Sequence, residues 1–147
     1  MEEKNLKVLE YNKILKLLSE KAVSAERVYA KGNRNVAFSV FEKENGDRDI
    51  YFLATDWHKP KGDGTGTLSI DGTLYEIAVP FGSLVKVSVS GDAALYPLES
   101  ENEVIAFDGT SARLSGEGSA TFVLCKNGEK RPFTVDFTRC SVQAITL

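Results

Sequence analysis

Short alternating apolar runs, separated by glycine-containing turns, fill the chain from about residue 35 to residue 147. Asn45-Gly46, Asp71-Gly72 and Asn127-Gly128 are typical of tight β-hairpins, and Gly91-Asp92 also predicts a turn. No helical stretch separates the runs, which excludes the crossovers of an α/β fold. The pattern predicts a mainly β fold: an antiparallel two-sheet β-sandwich of about nine strands, one domain over residues 35–147. The runs are 36–41, 47–58, 68–70, 75–79, 85–90, 104–107, 120–125, 133–137 and 142–145.

The stretch from Asp47 to His58 has apolar residues on both faces of a predicted strand. Side chains alternate along a strand, so Ile50 and Phe52 point to one face while Tyr51 and Trp57 point to the other. Such a strand belongs in the middle of a packed structure, because both of its faces need cover. We expect a polar loop over residues 59–66 after it, and we expect Val85 to Ser90 to form a strand with one solvent-facing side.

Residues 1–34 form a separate region in which helical spacing replaces alternation. An amphipathic helix is predicted over residues 5–23, followed by a short turn that Ser24 caps and Gly32 ends. A helix this short is marginal alone in water, so its apolar stripe must dock on the β-structure, on a copy of itself, or on a neighbouring domain. The predicted interface residues of the stripe are Tyr11, Ile14, Leu15 and Leu18.

The charge and composition of this 147-residue chain argue against two kinds of partner, nucleic acids and membranes. Its 42% hydrophobic content is typical of a globular domain. Its formal charge of -3 does not provide the positively charged surface that binds nucleic acid, so we expect no nucleic-acid partner. No apolar run approaches the roughly 20 residues of a membrane span, and the acidic start does not resemble a signal peptide. We expect no membrane partner, and the compartment stays open because an exported parent would lose its leader.

Motifs for catalysis and cofactors are missing from the sequence. The glycine-rich stretch over residues 62–66 lacks the ending of a phosphate-binding loop, and no calcium-loop spacing occurs. One His and two Cys do not make a zinc site, and Cys125 and Cys140 are expected to be free thiols. We therefore predict no cofactor, no metal and no catalytic residues. The scattered carboxylates leave a small glycoside hydrolase as the least favoured alternative.

The end of the central strand carries the candidate ligand-binding residues. Three candidates are consecutive in the sequence there: Asp56, Trp57 and His58. Because side chains alternate along a strand, Tyr51 is predicted to lie on the same face as Trp57. An aromatic face beside a carboxylate and a polar loop is suited to stacking a sugar ring and bonding its hydroxyls. The alternative is that Trp57 only completes an apolar face under the helix or another domain.

The segment from Leu9 to Leu15, continuing through Leu18 to Ser24, resembles the opening of second-type MutS proteins, which are ATPases related to mismatch-repair MutS. The resemblance covers about 20 residues. The ATPase and nuclease parts of those proteins have no counterpart in this sequence, so the resemblance implies no site and no activity here.

A second resemblance covers residues 35–137 and is carried by the segments 48–57, 75–82 and 116–122. They read RDIYFLATDW, YEIAVPFG and GEGSATF, and they resemble the β-sandwich domains at the C-terminal ends of bacterial carbohydrate-active enzymes. The resemblance implies a non-catalytic accessory domain whose partner is a separate catalytic domain. The alternative reading is a carbohydrate-binding module that recognises a glycan through the aromatic residues near Trp57.

Overall fold

A computed structural model describes residues 27–32, 36–54 and 63–147, and this part of the chain is built from β-strands without a helix. The strands are β1 (Val28–Gly32), β2 (Val36–Glu42), β3 (Arg48–Ala54), β4 (Gly64–Ile70), β5 (Thr73–Val79), β6 (Leu84–Ser90), β7 (Ala93–Pro97), β8 (Glu103–Phe107), β9 (Ser111–Ser115), β10 (Ser119–Lys126), β11 (Glu129–Asp136) and β12 (Val142–Thr146). The predicted mainly β, antiparallel fold is confirmed. The predicted helix over residues 5–23 lies outside the described residues.

The strands form three antiparallel sheets where the sequence predicts two. A central sheet has the order β11-β10-β7-β6-β3-β2, and two three-stranded sheets accompany it. We call β1-β4-β5 the N-terminal sheet and β12-β9-β8 the C-terminal sheet. Alternation along a strand shows which residues share a face, but it does not show how many sheets the strands form.

Two hydrophobic cores lie on opposite faces of the central sheet. In β7, Ala94 and Tyr96 belong to the core shared with the N-terminal sheet, whereas Ala93 and Leu95 belong to the core shared with the C-terminal sheet. The same alternation occurs in β10, whose Phe122 is fully buried in the second core. The central sheet is therefore a middle layer where β7 and β10 cross it.

Strand β3 lies between β2 and β6, one strand in from the edge of the central sheet. Its residues Ile50, Phe52 and Ala54 are buried against the N-terminal sheet, as the alternation predicts. The other face, which carries Tyr51 and Leu53, is only partly covered by the described residues. The expectation that this strand is covered on both faces therefore holds for one face.

The alternating polar residues of β6 do not form the solvent-facing side that the sequence predicts. Ser88 and Ser90 are buried, because β8 of the C-terminal sheet packs on β6. Lys86 on the same face donates hydrogen bonds to Glu103 Oε1 at 3.3 Å and to the carbonyl oxygen of Val104 at 3.2 Å. The polar face of β6 is thus buried between the central sheet and the C-terminal sheet. Lys86, at the edge of this buried face, is hydrogen-bonded to residues of β8.

All three hairpin dipeptides lie in turns, but Asn45-Gly46 belongs to a longer connection between Glu42 and Arg48 in which only Gly46 has positive φ, and the other two form the predicted tight turns. Asp71 and Asn127 have positive φ angles of 49° and 54°, and each is followed by a glycine that also has positive φ. Such angles are typical of the two-residue turns that match the twist of paired strands. Cys125 pairs with Lys130 across the last of these hairpins, and both cysteines are free thiols as predicted.

Two local predictions in the first part of the fold are wrong. The short helical turn ending at Gly32 is replaced, over Val28–Gly32, by β1, which pairs with β4. The polar loop predicted to extend to residue 66 gives way to β4 from Gly64. Glycines that indicate a loop in the sequence lie inside strand β4. Gly66 has no side chain, which allows the strand to lie directly against the ring of Phe52.

Strands β7 and β9 are also missing from the sequence prediction. In β7 all five residues are buried, so its sequence AALYP shows no alternation.

Within the described ranges, no helix is long and apolar enough to cross a membrane.

Candidate functional site

The structure describes one of the four predicted ligand-binding residues. Tyr51 lies on β3 and is half-buried, on the face turned away from the N-terminal sheet. Asp56, Trp57 and His58 lie outside the described residues, as do the helix residues Tyr11, Ile14, Leu15 and Leu18. The site is therefore built here from Tyr51 and its neighbours.

Tyr51 belongs to an apolar surface that β2, β3 and β6 form together. We call this surface the β2–β3 face and define it by Ser39, Phe41, Tyr51, Leu53 and Leu84. Ser39 is opposite Tyr51 in the strand register, and Leu53 is opposite Leu84, so these side chains share one face of the sheet. The Phe41 and Tyr51 rings meet edge to face, with centroids 5.6 Å apart and planes at 89°.

The β2–β3 face is exposed because the C-terminal sheet ends before it. Strand β8 packs on β6 and β7, which leaves the β2 end of the central sheet uncovered among the described residues. Phe41 is 58% exposed and Leu84 is 49% exposed. Ser39, Phe41, Tyr51 and Leu84 line a shallow groove of about 390 Å³. Its aromatic edges and single tyrosine hydroxyl are suited to packing against an apolar or sugar surface.

A more polar cavity of about 380 Å³ lies at the opposite end of β3, near the turn between β8 and β9. Asn45, Asp47, Asp108 and Arg113 supply its polar groups. Asp108 accepts hydrogen bonds from the backbone N–H groups of Thr110 and Ser111 and from both hydroxyls, at 2.7 to 3.1 Å. These bonds lower the pKa of Asp108 to about 2. The carboxylate therefore closes a turn, which already uses its oxygens.

Two other groups have strongly shifted pKa values, and both lie in the core shared with the N-terminal sheet. Burial raises the pKa of Tyr96 to about 12 and that of the Cys125 thiol to about 11. Cys125 is therefore a neutral thiol at pH 7, and a neutral thiol is a poor nucleophile. In the described part of the chain, no group of three or more His, Cys, Asp or Glu side chains is placed to hold a metal ion.

Sequence reasoning missed Phe41 and Leu84 as members of the surface. Phe38 and Phe41 fall on opposite faces of β2, which is the signal of a strand with apolar residues on both sides. In a central strand this pattern means burial on both sides, and in an edge strand it means exposure. Only the sheet order, in which β2 is terminal, distinguishes the two cases.

Comparison with known proteins finds no protein family, no curated protein and no solved structure that matches this chain.

Proposed function

We propose that the domain is a non-catalytic accessory or interaction module that binds its partner through the β2–β3 face. The observation that carries the proposal is the pair of aromatic rings formed by the exposed Phe41 and the half-buried Tyr51, with the exposed Leu53 and Leu84 beside them on one face of the sheet. Contiguous apolar surface rimmed by polar residues marks a site of interaction in soluble proteins. Aromatic side chains supply most of the binding energy at such sites.

The partner that we propose is the catalytic domain of a carbohydrate-active enzyme, in keeping with the sequence resemblance over residues 35–137. The β2–β3 face suits such an interface because its exposed side chains are mostly apolar, while Asp49 opposite Phe41 and Lys86 opposite Tyr51 add charged groups on the same face. A catalytic domain docked there would cover Phe41 and Leu84, which are 58% and 49% exposed.

Site-specific photo-crosslinking tests this partner in the source cells. A photoreactive phenylalanine analogue at position 41 should crosslink to a carbohydrate-active enzyme that mass spectrometry identifies. The same analogue at Leu74, an exposed residue of β5 that is 63% accessible, is the matched control and should not capture that enzyme. Equal capture at both positions, or no such enzyme at position 41, contradicts the proposal.

A carbohydrate-binding module is the second candidate, and the half-buried Tyr51 ring at the groove favours it. An aromatic ring and a hydroxyl at the edge of a groove are the groups with which proteins stack a sugar and hydrogen-bond it. By strand parity, the predicted position of Trp57 is on the same face, and Asp56 and His58 are its neighbours in sequence. In this candidate function the ligand is a glycan.

A glycan array separates the two candidates. Reproducible binding that is lost in Tyr51→Ala and in Trp57→Ala, but kept in Leu74→Ala, supports the carbohydrate-binding module. Thermal melting of each variant must show an intact fold. Absence of binding on the array, together with the crosslink at position 41, supports the accessory domain. Turnover of generic glycoside substrates by the purified chain would overturn both and favour the small hydrolase.

A further inference from the structure

We propose that β2 is a self-pairing edge, through which two copies of this chain join their central sheets into one continuous antiparallel sheet around a twofold axis. This inference goes beyond the proposed function and does not depend on it, because the pairing uses the edge of the sheet and leaves Tyr51 and Leu84 on its face accessible.

The edge strands of the described sheets differ in how they avoid pairing. Strand β11, at the other end of the central sheet, carries Pro132 beside the charged Lys130 and Arg131. Strand β8 has a bulge between Val104 and Ala106. Charges, prolines and bulges are the usual devices that prevent an exposed edge from pairing.

Strand β2 has none of these devices from Ala37 to Phe41, although at its start the carbonyl group of Val36 packs against Gly32 of β1. Its sequence is VAFSVFE, its pairing with β3 is regular over all seven residues, and Glu42 at its end is its one charged residue. On the side facing the N-terminal sheet, Phe38 is 44% exposed and Val40 is 42% exposed. A long, regular and apolar edge of this kind is a template for another strand.

The backbone groups of Phe38 and Val40 point away from β3. The Lys43 N–H donates to the Asp47 carbonyl at 2.7 Å, so this opposing pair is hydrogen-bonded. Hydrogen-bonded pairs alternate along an antiparallel ladder. Ala37, Ser39 and Phe41 therefore bond to β3. The N–H and C=O groups of the residues between them face outward and are available to a further strand.

The strand that fits this edge is β2 of a second copy. Antiparallel pairing centred on Ser39 brings Phe38 opposite Val40 of the second copy, and it does so twice because of the twofold symmetry. Both residues have outward backbone groups, so each such pair can exchange two hydrogen bonds. Aromatic residues opposite β-branched residues are among the favourable cross-strand pairs.

Charge and symmetry also agree with this register. Glu42 falls opposite Val36, so no two like charges face each other across the axis. Ser39 falls opposite its own counterpart in a non-hydrogen-bonded pair, where Cα atoms are about 4.5 Å apart. The interface consists of one strand from each copy and the adjoining side chains. Because it is at the small end of specific interfaces, about 1,200 Å² in total or less, we expect a dimer that dissociates on dilution.

Charge substitution at Ser39 tests the proposal with the full chain. In Ser39→Lys or in Ser39→Glu, the proposed register places two like charges directly opposite each other. We expect either variant to raise the dimer dissociation constant by at least about tenfold. An equimolar mixture of the two variants should recover the dimer, because each Lys then faces a Glu. Sedimentation velocity over a concentration series measures all three samples and the wild-type chain.

Thr134→Lys is the matched control, since Thr134 is an exposed residue of β11 on the opposite edge of the same sheet. This variant should dimerise like the wild type. Thermal melting should show that all variants remain folded, because Ser39 is exposed. A wild-type chain that stays monomeric throughout the series overturns the proposal. So does a Ser39→Lys variant that dimerises normally, or a dimer that only Leu18→Glu in the predicted helix disrupts.

Discussion

At the residue scale, the contact between Gly66 and Phe52 shows how one missing side chain fixes the distance between two sheets. A Cβ atom at position 66 would lie 2.5 Å from the Cδ1 and Cε1 atoms of the Phe52 ring, which is fully buried. No side chain fits there unless the ring or the backbone moves. Gly66 thus allows β4 of the N-terminal sheet to pack directly on β3 of the central sheet.

Gly66→Ala should therefore destabilise the fold by about 1–3 kcal/mol, the usual cost of adding a methyl group to a filled core. Urea unfolding measures the change in the free energy of unfolding. Introducing Gly66→Ala into a Phe52→Leu background is the control, because the smaller side chain relieves the overlap and the added cost should shrink. An alanine variant as stable as the wild type would contradict this account of the packing.

Asp108 gives the fold a pH dependence with a defined sign. Its folded pKa of about 2 is lower than the ordinary value, because the carboxylate accepts four hydrogen bonds in the β8–β9 turn. Stability from such a group is present above the unfolded pKa, near 4, and is lost as the pH falls towards 2. We expect Asp108→Ala to be less stable than the wild type at pH 6, with the difference shrinking at pH 2.

Urea unfolding of both proteins at the two pH values measures this difference. Asp108→Asn is the matched variant, since it keeps an acceptor oxygen but removes the charge, and it should also lose the pH-dependent part. An equal loss of stability at pH 6 and pH 2 would show that the carboxylate charge does not contribute.

At the element scale, the β10–β11 hairpin is tied to the N-terminal sheet through its turn. The hydroxyl of Tyr75 on β5 accepts a hydrogen bond from the Gly128 N–H at 2.9 Å. Beside it, the Lys130 ammonium group donates to the carbonyl oxygen of Glu76 at 2.8 Å. Two strands that are far apart in sequence are thus held together by a buried tyrosine and a lysine from the hairpin.

Tyr75→Phe should lower the free energy of unfolding by about 0.5–1.5 kcal/mol, because it removes the acceptor of the Gly128 N–H and keeps the aromatic ring in the core. Tyr29→Phe is the control, since Tyr29 is 54% exposed and its loss of a hydroxyl should be nearly neutral. Hydrogen exchange at the Gly128 amide should become faster in Tyr75→Phe alone. Unchanged exchange and stability would refute the proposed role of this bond.

At the scale of the whole molecule, three layers of sheet meet at β7 and β10, while the β2 end of the central sheet is covered on one face by the N-terminal sheet. The opposite face at that end is the β2–β3 face. A partner domain, a glycan and the amphipathic stripe predicted over residues 5–23 are the three occupants with a sequence-based argument. Truncation separates the third from the other two.

Removal of residues 1–24 should lower the melting temperature without changing the oligomeric state, if the predicted stripe docks on its own domain. Burying one leucine such as Leu18 is worth roughly 1.5–3 kcal/mol, so a loss of several degrees is expected. Differential scanning calorimetry and a sizing column measure the two properties, and Lys13→Ala on the predicted polar side of the helix is the control. If neither the melting temperature nor the oligomeric state changes, we infer that residues 1–24 bind a partner outside this chain.

The sequence by itself determined the hairpin turns and the buried faces of several strands. Turn dipeptides such as Asn127-Gly128 placed the hairpins because few residue types accept positive φ, and alternation identified Tyr75, Ile77 and Val79 as buried. Tertiary structure alone decided the number of sheets and which polar face is buried, as it did for Ser88. It also decided which two-faced apolar strand is central, like β7, and which is an edge, like β2. The physical reason is that period and turn chemistry act between neighbours in sequence, whereas sheet order depends on contacts between strands that are distant in the chain.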